Sequence, residues 1–120
     1  MRSRNALFTL ALTAAVALAG CDHLPFLKRS AGEKVWRKHC ANCHGIQGTG
    51  ETPGFMGEQY ASVVDDNWRS GSNDGAMETV IRNGVFGKMP GFPQLTPDEV
   101  RAVIHHIHVL RGERTSGTSG

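Results

Sequence analysis

Two cysteines three positions apart, with a histidine directly after the second, limit what this chain can fold around more than any other feature. They are Cys40, Cys43 and His44 in "HCANCHGIQG". A disulfide, a zinc centre or a haem would each use such side chains. A thioredoxin-like pair needs flanking strands, and no strand-like alternation occurs along the chain. A zinc site needs four ligands, commonly two such pairs or one pair and two spaced histidines. Only one pair is present, and His105, His106 and His108 lack metalloprotease-like spacing. Covalent haem needs only what is there. Cysteines at i and i+3 lie on one side of a helical turn, so both sulfurs reach the two vinyl groups of one porphyrin. His44 is then carried over the ring with a nitrogen aimed at iron. C-x-x-C-H is the attachment signature of c-type haem, and one motif means one covalently attached haem c.

The first twenty residues belong to export. "MRSRN" is basic, and the apolar run from Ala6 to Ala19 is 14 residues, against about 20 for a bilayer-spanning helix. "LAGC", Leu18 to Cys21, resembles the lipobox of bacterial lipoproteins, in which the cysteine is lipidated and becomes the first residue of the mature protein. Ordinary secretion with a free Cys21 is the plainer alternative. Cleavage removes Arg2 and Arg4, so Lys+Arg falls from 13 to 11, equal to Asp+Glu at 11. The mature chain is formally neutral, and no nucleic-acid footprint survives. Lipid on Cys21 also leaves no odd thiol beside the pair.

The expected organisation is a signal over 1–20, a membrane tether over 21–29, a haem domain over 30–112 and a disordered polar tail over 113–120. "SAGE" reads as a capping box opening a helix from Ser30 to about His44. Residues 45–75 are rich in Gly, Pro and Asp, with one short possible turn of helix over Glu58 to Val64. A long loop of this kind is functional or wrapped around something. Met77, Val80 and Ile81 give helical spacing over Asp74 to Asn83, with Gly84 closing it. "TPDE" caps the last helix through Thr96, Pro97 and Glu99, and Val100, Val103, Ile104, Ile107 and Leu110 share one face. The fold class is all-α with long loops.

Candidates for the second axial position are Met56, Met77, Met89, His105, His106 and His108. Met77 has the spacing of a core residue, and Met56 suits a pocket wall. Met89 stands in "GKMPGF", where Gly87 permits close backbone approach and Pro90 stiffens the loop, 45 residues after His44. Met89 is therefore the expected ligand, with a histidine or an open site as the competing readings. A methionine raises the potential relative to a histidine. His39, beside the motif, reads as a surface residue.

In "GEKVWRKHCANCHG", "TPGF", "IRNGVFGKMPGF" and "LTPDEVRAVIHHIHVLRG", in that order, the chain resembles class I c-type cytochromes over nearly all of Ser30 to Gly112. The stretch from Asp65 to Pro90 is also similar to cytochrome domains of cbb-type oxidases and membrane dehydrogenases. The resemblance implies a cytochrome c fold, with N- and C-terminal helices crossing and haem in a pocket of loops. It implies a small residue, Gly32, facing the last helix, where His106 replaces the usual aromatic and packs against Gly32 and Trp36. It also implies that the Pro53 carbonyl accepts the second ring N–H of His44, and that Trp68 or Arg69 hydrogen-bonds a haem propionate.

With His44 and Met89 on iron no position is open for a substrate, so the expected function is one-electron transfer and not catalysis. The tether of nine residues reaches about 30 Å, which keeps the haem beside the membrane on the periplasmic side, the inner membrane favoured by Asp22. Expected partners are redox proteins at that surface, with no small-molecule substrate. The chain is then a monomer or the electron-transfer subunit of a larger oxidase or dehydrogenase; an open-site haem enzyme or sensor is the remaining alternative. The loops of 45–75 are poor self-packers without an apolar ring to wrap. Haem-free protein is therefore expected to be largely unfolded, and a cooperative melt at native helicity without haem would contradict this.

Overall fold

The computed structural model describes residues 28–68 and 71–113. The expected signal, Cys21, most of the tether, Arg69 and nearly all of the tail lie outside them. Among the described residues the chain forms four α-helices: α1 (Ala31–His39), α2 (Ala41–His44), α3 (Asp74–Asn83) and α4 (Pro97–Leu110). A single 3₁₀ turn, Gln59–Ala61, interrupts the long loop between α2 and α3. Where one helix over Ser30 to His44 was expected, Cys40 (φ −115°, ψ −40°) is a joint between two. Its carbonyl accepts from both Cys43 N (3.1 Å) and His44 N (3.0 Å), so the motif sits on a short turn of its own.

The caps follow the sequence closely. The Thr96 hydroxyl accepts from Glu99 N, and the Glu99 carboxylate returns to Thr96 N, a complete capping box. At Ser30 only half of the box forms. The hydroxyl accepts from Glu33 N at 3.1 Å, but the Glu33 carboxylate pairs with Arg37 at 2.8 Å and Arg29 at 3.5 Å. Two guanidinium partners outcompete a single backbone N–H. Asn73 caps α3 by accepting from Ala76 N.

The core forms where α1 crosses α4 and α3 packs on α4. Val35 and Trp36 from α1, Met77 and Ile81 from α3, and Val100, Val103, Ile104 and Ile107 from α4 are buried together with Leu95 and Val63. Gly32 makes the crossing possible. A Cβ there would lie 2.0 Å from the Ala102 carbonyl oxygen and 2.9 Å from His106 Cβ. His106 takes the expected packing place, its ring 5.9 Å from that of Trp36. Gly32→Ala must push α1 off α4, and by the usual scale of overpacking it lowers stability by about 1–3 kcal/mol; urea unfolding measures this.

His108 ties α4 to α3. Its Nε2 lies 2.8 Å from Asp74 Oδ1 and its Nδ1 2.5 Å from Glu113 Oε2, and Glu113 in turn pairs with Arg111. Both ring nitrogens face carboxylates, which only the doubly protonated ring satisfies. Burial alone would lower its pKa, but the two carboxylates together outweigh it and raise the pKa above the ordinary 6.5. A raised folded-state pKa gives stability that is complete below the unfolded value and fades as pH rises through the folded one. His108→Ala should therefore lower the melting temperature most in mild acid. The gap from the parent should close as pH rises above neutrality, and a pH-independent gap contradicts this reading.

Candidate haem-attachment site

The side chains of the motif are set by what surrounds the short helix α2. Trp36, almost fully buried, donates from Nε1 to the Gly45 carbonyl at 3.1 Å, which ties the end of α2 to α1. The Thr52 hydroxyl donates to the Cys43 carbonyl at 3.1 Å. Cys40 and Cys43 are both free thiols and partly exposed. Burial, and secondarily the neighbouring Cys43, pushes the Cys40 thiol up to about 12. Cys40 is thereby a poor thiolate ligand for a metal ion. Among the described residues no cluster of three or more His, Cys, Asp or Glu is arranged to hold a metal ion.

His44 is held by a backbone carbonyl, but not the expected one. Its Nδ1 lies 2.7 Å from the Ala61 oxygen, whereas Pro53 is exposed. Glycine geometry explains the difference. Gly48 and Gly50, both at φ 75°, fold the loop back so that residues 61–63 lie against it. A Cβ on Gly50 would be 2.7 Å from the Ala61 carbonyl carbon, and one on Gly48 2.7 Å from Val63 Cγ2. Thr52 turns inward to Cys43, and Pro53 turns out after it. Burial lowers the His44 pKa despite the carbonyl partner, which favours the neutral ring. A carbonyl only accepts, so Nδ1 carries the proton and Nε2 keeps its lone pair. That is the tautomer an iron ligand needs.

Met89 lies in a tight loop after α3. Val85 N donates to Met89 O (2.8 Å) and Met89 N to Val85 O (2.9 Å), an isolated antiparallel bridge. The close backbone approach expected at Gly87 occurs instead at Gly84 and Gly91. A Cβ on Gly84 would lie 2.4 Å from Met89 O, and one on Gly91 2.6 Å from Arg82 O. Gly87 has open space around it and is required for its φ of 71°. Of the other candidates, Met77 is buried in the core and Met56 is 74% exposed. His105 is exposed.

Two contacts join the Met89 loop to the His44 side. Lys88, just before Met89, places Nζ 4.5 Å from the centre of the Tyr60 ring, and Tyr60 just precedes Ala61. The ring of Phe92 meets that of His39 edge-on at 5.9 Å, one residue before Cys40. His39 is thus a contact residue and not simply a surface one. Ile46, Met56, Tyr60, Val85 and Phe86, on these same loops, are large apolar side chains open to solvent. Such a concentration calls for an apolar cover, and a porphyrin joined at Cys40 and Cys43 fits it. The Trp68 indole N–H, expected to bond a haem propionate, donates to the Asp65 carbonyl at 2.8 Å.

The family model described as "Cytochrome C oxidase, cbb3-type, subunit III" matches residues 28–107. The chain is similar to the cbb3-type cytochrome c oxidase subunit CcoP of Rhodobacter capsulatus, 27% identical over 94 residues, or 72% of this chain and 30% of that protein. It is similar to subunit FixP of Bradyrhizobium diazoefficiens, 33% identical over 82 residues, or 68% of this chain and 27% of that protein. The chain therefore spans less than a third of the length of these relatives. A solved structure, the KustC0563 c-type cytochrome, matches with a TM-score of 0.54 at 30% identity, covering 70% of this chain and 98% of that one.

Proposed function

Because the chain belongs to the c-type cytochrome family of cbb3-type oxidase subunit III, we propose that it passes single electrons to or from a membrane oxidoreductase. As a c-type cytochrome it holds haem c covalently, and the haem supplies the chemistry, one electron gained and lost at its iron. In this proposal Cys40 and Cys43 are the thioether anchors, His44 Nε2 is one axial ligand and Met89 sulfur the other. The observation that carries the reading is the contact of Lys88 with Tyr60. It joins the neighbour of Met89 to the neighbour of the carbonyl that fixes His44.

The residues do the rest by holding still. The Ala61 carbonyl keeps the His44 tautomer constant, and the Val85–Met89 bridge pins the backbone of the other ligand. A site that is the same before and after the electron arrives needs little rearrangement to pass it on. A porphyrin seated on the apolar Val85, Phe86 and Tyr60 would be shielded from water on that face, and burial of this kind helps set the potential.

Place and partners belong to the same proposal. Lipid on Cys21 would hold the domain at the periplasmic face of the inner membrane. No helix among the described residues is long and apolar enough to cross a membrane. A second reading, a fixed subunit of an oxidase or dehydrogenase complex, is favoured by the similarity to CcoP and FixP; it predicts co-purification with a catalytic partner from solubilised membranes. For the ligand set the test is substitution. Met89→Ala should abolish the sulfur-to-ferric-iron charge-transfer band and lower the reduction potential, while Met56→Ala leaves both as they are. The reverse result overturns the assignment.

A further inference from the structure

The end of α4 carries a guanidinium that the proposed function leaves unused. Arg111, the C-cap of α4, has a side chain only 9% exposed. One terminal nitrogen donates to the carbonyls of Val63 (3.1 Å) and Asp65 (2.7 Å). The other donates to Asp66 Oδ1 at 3.0 Å, and Nε donates to Glu113. The guanidinium also lies 5.1 Å from the centre of the Trp68 ring, whose own N–H returns to Asp65 O. The two carbonyl bonds are directed and part-buried, unlike the ion pairs to Asp66 and Glu113, whose carboxylates are open to solvent.

The loop held this way is the one that holds His44. Ala61, whose carbonyl accepts from His44 Nδ1, stands two residues before Val63, and Val63 N donates to Gly48 O at 2.8 Å. Resting on the reading of His44 as an iron ligand, we propose that Arg111 is a positioning residue for it. Arg111 clamps the carbonyls of 63 and 65, and thereby keeps the Ala61 carbonyl at hydrogen-bond distance from the imidazole. A carbonyl accepting from a ligand histidine raises its basicity, which favours the ferric state. When the clamp is lost the bond lengthens, the imidazole becomes a weaker donor and the reduction potential rises.

The sign separates this from a charge effect. Removing a cation near the iron favours the ferric state and lowers the potential, whereas loosening the His44 bond raises it. The test is redox titration of the haem-loaded protein and of Arg111→Gln and Arg111→Lys, with NMR of the His44 Nδ1 proton. Arg111→Gln should raise the potential and speed exchange of that proton with solvent. Arg111→Lys, with fewer directed donors, should fall between it and the parent. A lower or unchanged potential, with unchanged exchange, overturns the proposal even if the melting temperature falls. Where Arg111→Gln does not fold, Arg111→Lys alone decides by the same two readouts. A parent protein without haem on Cys40 and Cys43 instead overturns the functional reading itself, and this proposal with it.

Discussion

One hydrogen bond, 2.7 Å from His44 Nδ1 to the Ala61 carbonyl, decides which nitrogen of the ring keeps its lone pair. Much of the surrounding structure serves that bond. Gly48 and Gly50 take positive φ and leave no room for side chains, so that residues 61–63 can lie against them. Trp36 ties Gly45, directly after the histidine, to the first helix. The 3₁₀ turn Gln59–Ala61 aims the carbonyl. Without such a partner a neutral imidazole exchanges tautomers, and a ligand nitrogen would be protonated part of the time.

The helical scaffold is rigid for a different reason. The α1–α4 crossing is close because Gly32 has no side chain, and Trp36 and His106 fill the space around it. This puts the motif, which begins directly after α1, on an immobile base. The Met89 loop reaches the same base through Phe92 and His39. Both proposed ligands are therefore carried by backbone that the helix packing already constrains. That is what a centre that changes charge without changing shape requires.

Much of this was legible in the sequence, and what was not has a common cause. The bounds of α3 and α4 and the Thr96 cap follow from local chemistry: Thr at a cap, Pro at the first helical position, apolar residues at helical spacing; the Gly32–His106 packing follows from the family resemblance. The cofactor follows from three side chains within five residues, Cys40, Cys43 and His44. The misses are contacts made by backbone across the long loop. Pro53 and Ala61 both offer a carbonyl, and only the fold of Gly48 and Gly50 selects Ala61. The Trp68 indole was expected to bond a haem propionate, but the carbonyl of Asp65, three residues earlier, accepts its N–H. Gly84 and Gly91 make the close approach expected of Gly87, because the loop closes on α3 and not on its own tip. Arg111 gave no signal at all; the loop groups it holds, on Val63, Asp65 and Asp66, lie 45 to 48 residues away.

The central claim is that both axial positions of the iron are filled by this chain, so that the protein moves electrons and binds no substrate there. Exposure of the reduced protein to carbon monoxide tests it most directly. Two protein ligands predict a visible spectrum unchanged over minutes. Rapid formation of a carbon monoxide adduct in the unaltered protein would show an open iron and contradict the electron-carrier reading.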